Sequence, residues 1–313
     1  MTIFNEASRN IFYSITVIFV MIGIGFLAGK LRIIKQEMIT GLTKILFNVS
    51  IPCLIIANMV TTYNREMLVS TMALPVFALI TMLLIGLPLS HLVAKIFKIK
   101  ESRKKQFVFL NFIPNYFYIS LPLALLLFGD KGVLYVFLYG FAADILIWTF
   151  GVRLYDDREG RFYLKQLLNP GIIALVVGFI LAMLQVKLPG LVISPLKSIG
   201  SITTPVAMLI TGAVISTIKI HNAKKLLLSK DMLMVVMLKL LLIPAIIVFL
   251  TGLITLDPIV RSVIVLQAAM PSAFMAIIFA TKYKKDVDYA AAGSLLTTII
   301  SLLTIPFFLY LIG

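Results

Sequence analysis

Two stretches of the chain combine prolines with amide and hydroxyl side chains in otherwise apolar surroundings. The first runs Asn111, Pro114, Asn115, Tyr116, Tyr118, Ser120, Pro122, and the second Gln267, Met270, Pro271, Ser272. A proline removes one backbone donor and its ring clashes with the preceding turn, so an apolar helix carrying these groups is interrupted there. In lipid, the backbone groups freed by such a break must find partners or line a cavity. The N-termini of the resulting half-helices present free amides and the positive end of the helix dipole, an arrangement that favours an anion. Asn111, Pro114, Asn115, Tyr116, Ser120 and Pro122, with Gln267, Pro271 and Ser272, are therefore the candidate substrate-binding residues. Two kinked helices packed by their neighbours are the alternative that the same residues allow.

Two charges stand apart from the other ionisable residues. Asp144 and Lys239 each fall in the middle of an apolar run. A charge at that depth costs roughly 2.5–3.5 kcal/mol on insertion scales and is a functional candidate by default. The two could pair with each other and fix helix packing, or one could carry a coupling proton; Lys239 could also snorkel toward a surface. Hydroxyls at Ser201, Thr203, Thr204, Thr211 and Ser216 could face a path or bond their own backbone. No enzyme constellation is present: no phosphate-binding loop, no metal cluster, and no Ser/His/Asp set. The expectation is a non-enzyme with no cofactor and no metal. The single cysteine, Cys53, excludes an internal disulfide.

The elements that must hold these groups follow from composition. The chain has 313 residues, 61% hydrophobic and only 13% charged, with mean hydropathy +1.07. Apolar runs long enough to cross a bilayer recur from end to end. Their continuity favours helices over a barrel. Ten spans are predicted, at 11–29, 39–60, 69–95, 105–128, 132–153, 170–188, 197–218, 231–253, 258–281 and 288–312. With both termini outside, the outer side carries Arg9, Arg65, Lys131, Lys187, Lys197 and Arg261. Every other basic residue except Lys239 falls on the cytoplasmic side, as the positive-inside rule requires. The formal charge of +15 thus reads as topology in a plasma-membrane protein rather than as nucleic-acid binding.

Prolines recur at matching places in the two halves: Pro52 with Pro205, Pro88 with Pro244, Pro114 with Pro271, at offsets of 153, 156 and 157 residues. Five spans per half is odd, so the second copy is expected upside down, as in many secondary transporters. The expected organisation is a first inverted repeat at 1–153, a cytoplasmic linker at 154–169 and a second repeat at 170–313. Gly25 and Gly29 offer a small-residue face for close helix packing or for a homodimer.

Several stretches resemble the auxin efflux carrier family, which includes plant auxin carriers and bacterial malate- and malonate-type permeases. They are Asn48–Pro52, Pro114–Pro122 followed by Phe128-Gly129-Asp130, Thr204–Gly212, Lys239–Pro244, Ala269–Ser272 with Tyr283, and Thr297–Pro306. Their order and spacing cover essentially the whole chain. The long central loop of the plant members is missing, as it is in the bacterial branch. The resemblance implies the fold of sodium–proton antiporters and bile-acid symporters. Spans 1, 2, 6 and 7 would form a scaffold, and spans 3–5 and 8–10 a moving transport domain. The fourth and ninth helices would cross at their breaks, with Pro114, Asn115 and Pro122 shaping one half of the site and Pro271 and Ser272 the other. The implied activity is elevator-type carriage of a small organic anion, malate-like, across the bilayer, with H+ or Na+ as candidate coupling ions and a homodimer through the scaffold helices as a candidate assembly. A sodium- or proton-coupled symporter of another solute is the alternative within the same class, and a non-transporting receptor or complex subunit the alternative from another class.

Overall fold

The computed structural model describes residues 2–63, 71–155, 169–218 and 223–312, with side chains from residue 11 in the first segment and 225 in the last. The expected start of the third span, Arg65, residues 156–168 of the expected linker, Lys219 and His221 lie outside the described residues. Among the described residues the chain is all helix apart from turns and one isolated antiparallel bridge. In chain order the helices are α1 Thr2–Lys30, α2 Gln36–Ile45, α3 Ile51–Thr62, α4 Ala73–Leu79, α5 Leu87–Ile96, α6 Glu101–Phe112, α7 Ser120–Leu146 and α8 Pro170–Met183. Then follow α9 Gly190–Ser201, α10 Thr203–Thr217, α11 Ala223–Leu227, α12 Lys230–Met237, α13 Ile243–Gly252, α14 Pro258–Ala269, α15 Met275–Lys282 and α16 Val287–Ile312.

Several of these helices join end to end through wide π-turns: Leu46–Ser50 between α2 and α3, Ile80–Gly86 between α4 and α5, and Leu238–Leu242 between α12 and α13. Each of these turns ends two residues before a proline, respectively Pro52, Pro88 and Pro244. A proline cannot donate to the carbonyl one turn back, and widening the turn relieves the clash of its ring. Among the described residues, seven helical runs, several of them joined in this way, are long and apolar enough to cross a membrane: 11–30, 36–62, 73–96, 120–151, 190–217, 230–252 and 287–312. Pro170–Met183 and Pro258–Ala269 are shorter apolar helices. The predicted fourth and ninth spans are each cut in two by a non-helical segment, at 113–119 and 270–274. The sixth stops at Met183, and Gln185 follows with φ 53°. The helical run Ser120–Leu146 turns at Gly129, whose φ of 61° and ψ of −151° only glycine adopts without strain. This is the boundary expected between the fourth and fifth spans.

Burial follows the small residues. The tightest pairing joins α1 to α10, where a methyl group on Gly212 would stand 2.0 Å from the Ile22 carbonyl oxygen and 2.5 Å from the Phe26 nitrogen. Gly25 and Gly29 face Leu209, Ala213 and Ser216 of the same helix, so the small-residue face packs within the chain. Backbone at that distance cannot yield by rotating a side chain. Gly212→Ala is therefore expected to lower stability by about 3 kcal/mol, measured by unfolding in detergent. Gly41→Ala, with nothing within 4 Å, should leave stability unchanged or slightly raised.

Helix α3 packs against α8 and α9, and Ser50 Oγ ties the α2–α3 joint to the Ile199 carbonyl at 2.9 Å and the Thr203 hydroxyl at 2.6 Å. On the other side of the molecule α14 packs against α7, α13 and α16, while α6 lies against α5 and α16 meets α12 and α15. There Arg103 Nε reaches Asp286 at 3.0 Å and its guanidinium lies over the Tyr289 ring, joining the starts of α6 and α16.

Candidate functional site: the crossing of two interrupted helices

The two interruptions meet. Residues 113–115 and 271–273 run antiparallel, with the Asn115 amide donating to the Pro271 carbonyl at 2.8 Å and the Ala273 amide donating to the Ile113 carbonyl at 3.2 Å. The crossing follows from what the prolines deny to their own helices. Pro114 has no N–H for the Leu110 carbonyl one turn back; the Ser272 hydroxyl donates to it instead, at 2.6 Å. The Asn115 amide, drawn to Pro271, leaves the Asn111 carbonyl open, and Lys239 Nζ approaches it at 3.5 Å. Tyr116 offers its carbonyl to Ser120 Oγ at 2.6 Å and to Gln267 Nε2 at 3.4 Å. From α16, Thr297 Oγ1 accepts the Ser272 amide at 3.1 Å, and Ser294 Oγ donates to the Ala273 carbonyl at 3.2 Å. Pro122 sits in the first turn of α7, where a missing N–H leaves no gap.

Some polar atoms at the crossing remain unsatisfied. Asn115 spends its Oδ1 on the Tyr118 amide at 3.2 Å, but its Nδ2 has no partner. Gln267 Oε1 and Asn111 Oδ1 are also unpartnered, and all three residues are at most 3% exposed. An unmade hydrogen bond on a buried group costs about 1–3 kcal/mol. Of the three residues, Asn115 lines a cavity beside the crossing.

A cavity of about 1230 Å³ adjoins the crossing. Pro114, Asn115, Tyr116, Ala273 and Phe274 form one wall, and the α2–α3 joint, α8 and α10 form the opposite one. Phe47, Phe117, Phe137, Phe141 and Trp148 make much of the surface aromatic, and Lys44 and Lys282 lie where it reaches the helix ends. Asp144 lines the cavity too. Its Oδ1 accepts the Tyr116 hydroxyl, and Asn169 lies within hydrogen-bonding reach of it.

The sequence-derived candidates thus fall into three sets. Pro114, Asn115, Tyr116 and Asp144 face the cavity. Asn111, Ser120, Gln267, Pro271 and Ser272 build the crossing behind it, and Pro122 starts the helix that leaves it. Lys239 touches the crossing from the π-turn of α12–α13, and Asp144 sits on the other side with Tyr116; the two charges do not pair with each other. Sequence reading gave no role to Asn169, Thr297 or Phe47. For Asn169 the signal was available: an Asn before Pro170 at a helix start is an N-cap, and its Oδ1 accepts the Ile172 amide at 3.0 Å.

A family model described as membrane transport protein matches residues 10–164 and 160–309. An uncharacterized transporter of Methanocaldococcus jannaschii is 24% identical over 301 residues, covering 93% of this chain and 95% of that protein. An uncharacterized transporter of Methanothermobacter thermautotrophicus is 22% identical over 294 residues, covering 92% and 94%. Matched along nearly its whole length, the chain belongs to this membrane transport protein family, the auxin efflux carriers of the sequence resemblance, and is a multi-pass membrane transporter.

Proposed function

We propose that the protein is a secondary carrier that binds a small organic anion, a carboxylate, at the crossing and moves it by elevator-type alternating access. The observation that carries this reading is the crossing itself: two interrupted helices, joined by paired backbone hydrogen bonds, with Asn115, whose buried Nδ2 is unpartnered, among the residues that line the cavity beside it. The N-termini of α7 and α15 both leave from the crossing, so their dipoles add positive potential where a carboxylate would sit.

Ten spans in two inverted five-span repeats, at 1–153 and 170–313, fit the same reading. Three observations support it. The irregular turns before Pro88 and Pro244 match. Ser50 and Thr203, each two residues before a paired proline, bond each other. The two family-model segments divide near residue 160. The scaffold would comprise α1, α2–α3, α8 and α9–α10, and the moving block the rest. With the basic helix ends on the cytoplasmic side, the cavity beside Lys44 and Lys282 would open inward. Asp144 and Lys239, held on opposite sides of the crossing, would travel with the moving block.

The test is solute counterflow in proteoliposomes, together with thermal shift of the purified protein, over a panel of mono- and dicarboxylates at several pH values with and without sodium. Saturable exchange of at least one carboxylate is expected, with the same compound raising Tm. Neither binding nor exchange for any carboxylate would overturn the anion assignment.

A further inference from the structure

The long-range side-chain hydrogen bonds of the crossing stay within the moving block, and the Ser50–Thr203 bond stays within the scaffold. Where the two blocks meet at the cavity, one corner of the first interruption is gripped. The Phe47 ring meets Tyr118 edge-on at a centroid distance of 5.6 Å and Phe117 at 6.3 Å. Thr43, one turn earlier, lies within hydrogen-bonding reach of the Tyr118 hydroxyl. Tyr116, the third aromatic of the corner, donates its hydroxyl to Asp144, and Asn169 at the start of α8 lies beside that carboxylate. The corner Tyr116-Phe117-Tyr118 is thus held from two scaffold elements at once, from α2 with its π-turn and from the first turn of α8. All of these residues line the cavity.

Edge-to-face rings and a side-chain amide on a carboxylate are directional contacts. A block sliding by several ångströms cannot keep them, and no continuous deformation carries a T-shaped ring pair past its neighbour. We infer that Phe47, Thr43 and Asn169 are positioning residues that form a detent: they hold the aromatic corner in the cavity-open state and must let go once in each transport cycle. This rests on the reading of the chain as a carrier with a moving block. It adds which contacts set the balance between its two states. Asn169 has two parts in it, since its Oδ1 caps α8 while Asp144 lies beside it in the cavity wall. The two can be separated, because serine keeps a cap and gives up the reach to Asp144.

Two measurements on the full chain, with Cys53 replaced by serine, test this. In the first, Phe47→Cys is combined with Tyr118→Cys and the pair is closed by copper phenanthroline or a short bis-maleimide. Exchange should fall at least tenfold on closure, and reduction of the disulfide should restore it. Closed protein that exchanges at the open rate overturns the detent. The second measurement needs no solute. Thr217→Cys, in the cavity wall, is labelled with a membrane-impermeant maleimide in the parent and in Phe47→Ala, Thr43→Val and Asn169→Ser. Loosening the detent depopulates the cavity-open state, so labelling should slow about threefold or more in each; Asn169→Gln, which keeps the amide, should recover part of the parent rate. Equal or faster labelling in all three variants overturns the proposal. Slowed labelling supports it even where no carboxylate is found to bind, an outcome that would instead fell the anion assignment.

Discussion

Asn115→Asp abolishes transport while leaving the protein folded. The substitution preserves what Asn115 does for the backbone, because a carboxylate oxygen can accept the Tyr118 amide as the Asn115 Oδ1 does at 3.2 Å. It changes only the other end. Nδ2, a buried and unpartnered donor on a residue that lines the cavity, becomes an oxygen that can accept but not donate. For an anionic solute the change removes a charge-assisted hydrogen bond, about 1.5–3 kcal/mol, and adds like-charge repulsion. Together these should exceed about 2.7 kcal/mol, a loss of about a hundredfold or more in exchange rate at low solute concentration. Asn115→Ala should lose less, because repulsion is absent, but should also lose some stability with the Tyr118 bond. The order wild type, Ala, Asp in counterflow, with Tm highest for wild type, is the expected pattern. A fully active Asp variant would mean that the solute presents a donor or a positive charge at this position.

The contrast with Ser272 shows why neighbouring candidates in the same motif do different work. Ser272 spends its hydroxyl on the Leu110 carbonyl and its amide on Thr297, so it has nothing left to offer a solute. Its loss opens the crossing by leaving a buried carbonyl bare. Ser272→Ala should therefore appear mainly as instability, about 1–3 kcal/mol, with solute affinity reduced only as far as the crossing loosens. Unfolding in detergent and the concentration dependence of exchange, measured on the same preparation, separate the two.

How much of this could be read from the sequence depends on the range of the interaction involved. The breaks at 113–119 and 270–274 were legible because a proline acts on its own turn, and Pro114, Pro122 and Pro271 announce themselves. The reversal at Gly129 was legible as a boundary for the same reason: a Gly-Asp pair between two apolar runs needs no knowledge of the rest of the fold. Gly25 and Gly29 announced a close contact but not with whom; the partner helix, α10, lies more than half the chain away. Hydroxyls were the least legible. Thr297 and Ser301 are both small polar residues on one helix. Ser301 bonds only its own backbone, to Thr298, whereas Thr297 also receives the Ser272 amide. Nothing local distinguishes them, because the difference lies in which residue stands opposite. The π-turns before Pro52, Pro88 and Pro244 were not anticipated, since proline in an apolar run is compatible with a kink, a break or a widened turn, and neighbouring helices decide among them.

Lys239→Met separates the structural from the functional account of the buried lysine, and both readouts should move in opposite senses. Lys239 is 1% exposed, and the contact it makes is with the Asn111 carbonyl at 3.5 Å, the far limit of a hydrogen bond. Asp144, the acid that the sequence offered as its partner, is engaged with Tyr116. A buried ammonium held so loosely is a poor stabiliser, and an apolar side chain of similar length commonly matches or improves on a buried charge. Stability should therefore stay level or rise, by up to about 2 kcal/mol. Transport should fall. A positive charge behind the crossing attracts an anion in front of it. At an effective dielectric of about 20, unit charges within about 10 Å of each other attract by more than about 1.5 kcal/mol, so the loss should be about tenfold or more in rate. Lys239→Arg, which keeps the charge but must fit a larger head into the π-turn, should retain more transport than Met at lower stability. A Met variant that both unfolds earlier and exchanges normally would make Lys239 a packing residue. Level stability with lost transport is the signature of a charge retained at the crossing for the sake of the solute.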